Sequence, residues 1–400
     1  MKDPFSEQMW RVWAEIDLDA IARNLTTIAR LVHPARVMAV VKADAYGHGA
    51  VAVARTAEAA GAAALGTSSV SEGLVLREGG VRLPIVVLGP ARGEEDRALA
   101  ADLALTVVDE EGLRAAAETA GRLRVVARVH VKVDTGMTRL GIEPQALPAL
   151  LKRAGGWDHV RIEGVFTHLA AAESDLAFTR EQVDRFRPAA DLVQARFPHA
   201  VRHAAATAGL LTFPEARLEM VRVGLGLYGL YPSPDLRSAV ILHPAMGLWS
   251  RVVQVHAAAA GVTVSYGRSH RAPAPTRIAT VAVGYGDGYP RILSNRGRMV
   301  LGGRLVPVVG RVTMDYTMLD VGAAGPAVAA GDVVQVFGPD LPVDDLAAWA
   351  STISYEIVCG IGPRVPRIYR AGERVVGLRD QRMAQGVAAP QVSPSAAREL

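Results

Sequence analysis

Between Val37 and Gly229 the sequence alternates short β-branched runs with longer amphipathic segments, and this alternation restricts the fold more than any other feature. Strands that alternate with helices pair in parallel, because each helix carries the chain back to the start of the next strand. Eight such runs can be counted: VMAVVKA, AALGTSS, PIVVLGP, LALTVVD, RVVARVHVKV, RIEGVFTHL, AVRHAAATA and MVRVGLGLYG. Eight strands over about two hundred residues predict an α/β fold, the (β/α)8 barrel, with a site at the C-terminal ends of the strands.

A doubly wound open sheet is the alternative arrangement of the same pattern. That fold would place a glycine fingerprint directly after the first strand. The segment KADAYGHG, which follows the first run, does not supply one. The barrel is therefore favoured.

After Pro244 the pattern changes to β runs without intervening helices, namely RVVQVHAAAAGVTVSYG, RIATVAVGYG, RMVLGGRLVPVVGRVTMDYTMLDV and GDVVQVFG. Gly302 and Gly303 separate two alternating runs and indicate a hairpin turn. We predict a barrel over residues 14–245 and a mostly β domain over residues 246–378, with residues 1–13 packing against the β domain. The segment WRVWAEIDL also resembles a strand, without a visible partner.

Residues 379–400 lose this periodicity and become rich in Ala, Gln, Pro and Ser, which predicts a disordered tail.

The composition is that of a globular protein, with 50% hydrophobic and 21% charged residues. The net charge is only +4 and the basic residues are scattered, so nucleic-acid binding is not expected. Charges interrupt every apolar stretch before the roughly 18 residues that a membrane span needs, and the N-terminus has no apolar core of a secretory leader. Cys359 is the only cysteine, which fits a cytoplasmic protein without disulfides; its apolar neighbours suggest that it is buried.

Unusual polar residues occur where the predicted barrel strands end. They are Lys42, Lys132, Arg139, His168, His203, Thr207 and Arg222. Each has an ordinary explanation, because a lysine at a strand end is usually solvated, a lone histidine is usually structural and a buried arginine often pairs with a carboxylate. Their convergence on one end of a barrel predicts a functional site.

A desolvated lysine adds to carbonyl groups, including the aldehyde of pyridoxal phosphate, because burial lowers the pKa of its amine. Lys42 is the candidate for this role. The cofactor also needs a phosphate site, and the segment VGLGLYG supplies glycines whose backbone N–H groups can approach an anion, while Tyr46 and Thr207 supply hydroxyl donors. In the β runs, Tyr266, Tyr285 and further tyrosines are by default ordinary sheet residues with a polar tip.

Taken together, these motifs resemble those of the alanine racemase family. The resemblance covers roughly residues 10–372 and rests on VVKADAYGHG, VKVDTGMTRLG, FTHLAAAE, MVRVGLGLYG, VSYGRS, VGYGDGYPR, GRVTMDYTMLD and YEIVCGIGPRVPR. It implies a pyridoxal-phosphate barrel followed by a β domain, in a head-to-tail homodimer. It also implies interconversion of L- and D-alanine, which supplies D-alanine for peptidoglycan.

The resemblance implies that Lys42 forms the internal aldimine and that Tyr266 of the other subunit is the opposing base. Two acid-base groups on opposite faces of the α-carbon are the simplest way to invert it. Arg222 matches the arginine that faces the pyridine nitrogen, and with His168 it would assist Tyr266. A guanidinium stays protonated, which leaves the ring nitrogen unprotonated and the cofactor a weaker electron sink.

The resemblance also implies the binding residues. Arg139 and the backbone of Met314 would bind the substrate carboxylate, and Lys132 matches a lysine that is carbamylated in many family members and holds that arginine. The residues implied for the phosphate are Tyr46, Thr207, Tyr355 and the backbone of Gly224 and Leu225. Tyr285 and Tyr355 would narrow the entrance and favour a methyl side chain.

The sequence departs from the family at Ala206-Thr207, Asp44, Thr313 and Gly362-Pro363. These positions bear on substrate preference and cofactor affinity. The nearest rival function is a serine racemase or a racemase of broader range, which is distinguished by how tightly the tyrosines close the entrance. A basic amino-acid decarboxylase would place a carboxylate rather than Arg222 at the ring nitrogen, and a non-catalytic pyridoxal-phosphate carrier would lack the β domain.

Overall fold

The computed structural model describes residues 10–322 and 328–380, which divide into two compact units. The first unit comprises residues 20–45 and 50–243. The second comprises 10–19, 46–49 and the described residues from Pro244 onward, and includes strand β1 (Val12–Asp17). Most of the N-terminal segment predicted to pack on the β domain, and nearly all of the predicted tail, lie outside the described residues. The domain boundaries predicted above stay a prediction.

The first unit is built on a sheet of eight parallel strands. These are β2 (Arg36–Val40), β3 (Ala64–Thr67), β4 (Ile85–Val87), β5 (Leu103–Val107), β6 (Ala127–Lys132), β7 (Val160–Phe166), β8 (Val201–His203) and β9 (Met220–Val223). The strands pair in the order β9-β2-β3-β4-β5-β6-β7-β8. The Arg222 N–H donates to the Ala205 carbonyl at 2.9 Å and joins β9 to the segment after β8. Each of the eight predicted runs contains one of these strands, so the barrel prediction is confirmed.

Helices lie between the strands, and several begin at a capping side chain. Their bounds are Leu18–Val32, Ala50–Ala59, Val70–Glu78, Glu95–Ala100, Glu110–Leu123, Leu147–Ala154, Leu176–Arg196 and Thr207–Thr212. Ser69, Asp109 and Asp175 each accept a backbone N–H from the first turn that follows, as expected of N-caps. Inside the sheet, five strands contribute one residue each to an apolar cluster: Met38, Ala64, Val86, Ala104 and Met220. This apolar cluster fills part of the sheet interior, and the predicted polar residues lie toward the C-terminal ends of the strands.

The second unit is mostly β. After β1, its strands are β10 (Met246–Ala258), β11 (Thr263–Val264), β12 (His270–Arg271), β13 (Thr276–Val281), β14 (Arg298–Leu301), β15 (Arg304–Pro307), β16 (Thr317–Asp320), β17 (Val333–Phe337), β18 (Arg367–Ala371) and β19 (Arg374–Arg379). The main sheet has the order β15-β14-β17-β10-β1-β18-β19, and β13 pairs with β10 and β16. The segment WRVWAEIDL contains β1, which runs antiparallel to β10 and parallel to β18. The predicted hairpin joins β14 and β15, with φ of +58° at Gly302 and +72° at Gly303.

Two features of the second unit differ from the sequence analysis. Helices Val343–Ala350 and Ser354–Cys359 interrupt the β pattern. In helix Val343–Ala350 the buried residues Val343, Leu346 and Ala350 recur at helical spacing. This segment follows the last β run that was identified in the sequence. Cys359, the last residue of its helix, is exposed rather than buried as the sequence suggested. In the part of the chain that the structure describes, no helix is long and apolar enough to cross a membrane.

The contact between β6 and β7 gives a stability prediction. A Cβ added to Gly164 would lie 2.2 Å from Nδ1 of His130, so Gly164→Ala forces a shift in a packed barrel interior. We expect the free energy of unfolding to fall by about 1–3 kcal/mol in urea titrations. Gly121→Ala, within helix Glu110–Leu123, is the matched control. Its added Cβ would lie 3.6 Å from the nearest neighbouring atom, an ordinary contact distance. This substitution should raise the free energy of unfolding by up to about 1 kcal/mol. Equal stabilities of the two variants would contradict the prediction.

Candidate active site

Lys42 lies two residues after the end of β2 and begins an unusual turn. Residues Ala43 to Tyr46 all have φ between +51° and +54°, the left-handed region that non-glycine residues enter at a cost of about 1–2 kcal/mol each. Within the first unit, Glu72 supports this turn, since its Oε1 accepts the Ala43 N–H at 2.6 Å. The other oxygen of Glu72 accepts the N–H and hydroxyl of Ser68 at 2.7 and 2.9 Å. The backbone that carries Lys42 is therefore held in a strained and defined direction.

Arg222, on β9, is 3% exposed and is surrounded by neutral acceptors. Its Nη1 donates to Nδ1 and the carbonyl of His203 at 3.0 and 2.9 Å. Its Nη2 donates to the carbonyls of Thr167 and Ala204 at 2.7 and 2.8 Å and lies 3.2 Å from Nδ1 of His168. Burial lowers the pKa of Arg222 to about 9, so the guanidinium is charged at neutral pH.

His203 extends this network to a second buried histidine. Because Nδ1 of His203 accepts from Arg222, its Nε2 carries the proton and donates to Nδ1 of His130 at 3.0 Å. Burial lowers the pKa of both imidazoles, to about 4 for His130, and the charge of Arg222 adds to the shift. The His203 ring stacks on Phe166 with centroids 4.7 Å apart. Both histidines are thus neutral at pH 7.

Four cations act electrostatically on His168, and we call Lys42, Lys132, Arg139 and Arg222 the cationic cluster. Burial lowers the pKa of His168 to about 3, and all four cations of the cluster contribute to that shift. Burial also lowers the pKa of Lys132 to about 8, helped by the other three cations and opposed by Asp134. The structure thus brings together the charged residues that the sequence analysis placed at the strand ends. Their concentrated positive charge suits an anionic ligand.

Two loops complete the predicted set in the first unit. Asp134 Oδ1 accepts three successive backbone N–H groups, from Gly136 to Thr138, and so fixes the loop that leads to Arg139. Thr207 Oγ1 accepts the Gly226 N–H at 3.2 Å. The predicted Gly224 and Leu225 directly precede this contact, at the start of the 3-10 helix Leu225–Tyr228. The Thr207 hydroxyl, which follows β8, therefore lies beside the backbone N–H groups that follow β9.

In the second unit, Tyr46 lies near the helix Ser354–Cys359. Burial raises the pKa of Tyr46, and the nearby Cys359 and Tyr355 add to the shift, so its hydroxyl is protonated and can donate. The adjacent Gly47 is packed so closely that a Cβ would lie 2.2 Å from the Val358 carbonyl oxygen. The predicted pair Tyr46 and Tyr355 is thus brought together.

The remaining predicted residues are exposed side chains of the second unit. The exposed fractions are 72% for Tyr266, 53% for Met314 and 44% for Tyr285. Ser265, just before Tyr266, has φ of +63° and donates its hydroxyl to the Arg311 carbonyl at 2.6 Å, which fixes the loop. The Gly286 N–H donates to the Met314 carbonyl at 2.9 Å, so Tyr285 and Met314 lie on paired loops.

Sequence reasoning missed His130, Phe166 and Glu72. His130 stands two residues before Lys132 in β6. Because side chains two apart lie on the same face of a strand, this spacing could have identified His130 as a neighbour of the site. Glu72 stands three residues after the N-cap Ser69, a capping-box position, but no local signal indicates its contact with Ala43 across 29 residues of sequence.

A parallel barrel with a lysine, an arginine and neutral histidines at its strand ends defines an enzyme of the barrel class that binds a small anionic ligand. The alanine racemase N-terminal domain model matches residues 16–232 and the C-terminal domain model matches residues 245–369. The alanine racemase of Desulfovibrio desulfuricans is 42% identical over 363 residues, which cover 90% of this chain and 98% of that protein. The chain belongs to the alanine racemase family.

Solved structures agree with this assignment. The alanine racemase of Clostridium difficile superimposes with a TM-score of 0.89 at 33% identity, covering 94% of this chain and 99% of that one. The alanine racemase of Bartonella henselae, solved with covalently bound pyridoxal phosphate, gives a TM-score of 0.81 at 28% identity, covering 90% of this chain and all of that one. Pyridoxal phosphate is the cofactor of the family. The residues present fit it, because they combine a lysine, a cationic cluster for its anionic groups, the hydroxyl after β8 and the N–H groups after β9.

The buried histidines give a pH prediction. In the unfolded chain a histidine binds a proton near pH 6.5, whereas the folded values for His130 and His168 are about 4 and 3. Between those limits the unfolded chain binds more protons, so the free energy of unfolding falls as pH falls, by up to about 1.4 kcal/mol per pH unit for each histidine. Urea titrations from pH 7.5 to 4.5 measure the slope.

His130→Gln should make this slope shallower. His199→Gln, which replaces an exposed histidine, is the matched control and should leave the slope unchanged. An identical slope in wild type and His130→Gln would show that His130 is not buried in its neutral form.

Proposed function

We propose that this chain interconverts L- and D-alanine with Lys42 and Tyr266 as the two acid-base groups. The observation that carries the proposal is the convergence of Lys42, Arg139, Arg222 and the neutral His168 at the strand ends of a chain in the alanine racemase family. When bound, pyridoxal phosphate withdraws electrons from the substrate α-carbon and makes its proton acidic. The chain's own residues then have to remove and return that proton on opposite faces.

Lys42 would hold the cofactor covalently, and its amine would exchange the α-proton on one face. The strained turn after Lys42, held by Glu72, supports this role because it restricts the direction from which the amine reaches its target. The groups proposed for the phosphate are Tyr46, Thr207, Tyr355 and the backbone N–H groups at Gly224 and Leu225.

Arg222 would face the ring nitrogen of the cofactor, with His168 beside it. Its neutral hydrogen-bond acceptors leave its positive charge uncompensated by a carboxylate, and its lowered pKa of about 9 still keeps it protonated. A charged guanidinium donates a hydrogen bond there without giving up a proton. That limits electron withdrawal and favours the return of the proton to the α-carbon, which suits racemisation.

Arg139 and the backbone of Met314 would bind the substrate carboxylate. The pKa of Lys132, about 8, leaves part of this amine neutral near physiological pH. Its nitrogen can then attack carbon dioxide, forming an N–C bond and releasing one proton, and the resulting carbamate would be an anionic partner for Arg139. Tyr285 and Tyr355 would narrow the entrance in favour of a methyl side chain, and turnover of serine or lysine equal to that of alanine would instead favour a racemase of broader range.

A head-to-tail homodimer would complete each site with Tyr266 of the partner subunit. The exposure of Tyr266, Tyr285 and Met314 supports this arrangement, because large apolar and aromatic side chains left exposed on a chain can be covered at an interface. We also infer a cytoplasmic location, in keeping with the single cysteine, where the product D-alanine would supply peptidoglycan synthesis.

Two substitutions test the acid-base roles. Lys42→Ala should abolish the absorbance band of the covalently bound cofactor together with racemisation, whereas Lys152→Ala, at an exposed lysine, should leave both intact. Tyr266→Phe should keep the band and slow exchange of the α-hydrogen with deuterated water by about 10²–10⁴-fold, mainly from one enantiomer. Tyr316→Phe is its control. Wild-type exchange rates in Tyr266→Phe would refute the two-base assignment.

Mixing the two inactive variants tests the shared site. A mixed dimer of Lys42→Ala and Tyr266→Phe chains would contain one site with both groups intact only if Tyr266 acts on the partner's cofactor. Random reassortment of equal amounts should then restore about a quarter of wild-type activity. No recovery, with mixed dimers verified by mass labelling, would show that Tyr266 does not complete the site of the partner subunit.

A further inference from the structure

Asp287 is a fully buried carboxylate that neither acid-base role uses. Its exposed fraction is 0%. Oδ1 accepts from Nη2 of Arg11 at 2.7 Å and from Nε of Arg364 at 2.8 Å, and Oδ2 accepts the Gly284 N–H at 2.9 Å. A buried carboxylate is tolerated only when paired and hydrogen-bonded, and its most useful effect is to specify one arrangement of its partners.

Both arginines that bind Asp287 also contact the segment around Met314. Arg364 donates through Nη2 to the Met314 carbonyl at 3.1 Å and to Asp315 Oδ1 at 2.9 Å. Arg11 donates through Nη1 to the Asp315 carbonyl at 3.1 Å. The two arginines and two aspartates form a charge-balanced group, and the arginines hold the carbonyls of the two peptides that flank the Asp315 Cα.

The loop that contains Asp287 is also the loop that carries Tyr285. The Tyr285 N–H donates to the Thr313 carbonyl at 3.0 Å, in addition to the bond from Gly286 to Met314. A Cβ at Gly284 would lie 2.3 Å from the Thr313 carbonyl oxygen, and one at Gly286 would lie 2.7 Å from Nη2 of Arg364. The two loops are therefore in backbone contact with no room for a side chain between them, and a shift of one must shift the other.

We propose that Asp287 is a positioning residue that fixes Met314 and Tyr285 in one geometry and thereby sets the preference for a small amino acid. The inference rests on the proposed function, because it takes Met314 as a carboxylate-binding group and Tyr285 as an entrance group. One buried carboxylate thus couples substrate binding to selection of the side chain. Its partners lie far apart in sequence, 276 residues away for Arg11 and 77 for Arg364.

Asp287→Asn and Arg364→Lys test this coupling. The amide of Asn cannot accept from both arginines and Gly284 together, and a lysine lacks the planar fork that reaches Asp287 and the Met314 carbonyl at once. In both variants we expect the KM for alanine to rise about tenfold or more with a smaller change in kcat, and the ratio of kcat/KM for alanine over serine to fall. The absorbance band of the bound cofactor should remain.

Asp320→Asn is the matched control. Asp320 is another hydrogen-bonded carboxylate of the second unit, bound to Thr276 and the Gly322 N–H, and it contacts neither loop. It should lower the thermal midpoint without changing KM or the alanine-to-serine ratio. If KM and the alanine-to-serine ratio changed in proportion to the loss of thermal midpoint in all three variants, Asp287 would act only on stability.

The outcomes separate the inference from the proposed function. If wild-type protein fails to racemise alanine, the proposed function is wrong. If wild type is active and Arg364→Lys keeps the wild-type KM and selectivity, the positioning role of the Asp287 group is wrong. Should Asp287→Asn fail to fold, Arg364→Lys, which retains the charge, decides the question.

Discussion

The burial of the Arg222 guanidinium is the constraint on which the barrel end depends. A cation removed from water must have its donors satisfied, and here the acceptors come from the ends of β7 and β8 through Thr167, His203 and Ala204. The Arg222 backbone also joins β9 to the segment after β8. The same residue therefore closes the sheet and presents a charge to the site.

Neutral histidines are the consequence of that charge. His130 and His203 are buried and His168 is half-buried near Arg222, and loss of solvent together with this cation disfavours their protonation. The network can accept hydrogen bonds from the guanidinium without adding further positive charge. The pKa of Lys132 is also lowered, so part of this amine is neutral. The positive potential of the site is therefore concentrated at a few groups, which favours binding of a phosphate and a carboxylate.

In the second unit, close contact between backbone segments contributes to the order of the loops. Gly47 against Val358 and Gly284 against Thr313 bring main chains closer than any side chain allows. Tyr46 and Tyr285 sit beside these glycines, so their positions follow from packing of the backbone. Asp287 then fixes the loop of Tyr285 by charge.

The sequence by itself determined the eight barrel strands, because β-branched runs separated by amphipathic segments admit few other topologies. It also placed Lys42, Lys132 and Arg222 at one end of the barrel, since parallel strands share the direction of their C-terminal ends. Only the tertiary structure decided the left-handed turn after Lys42, which contains no glycine and opposes local preference. The partners Glu72 and Asp287 likewise depend on contacts across many residues of sequence, and such contacts leave no periodic signal in the chain.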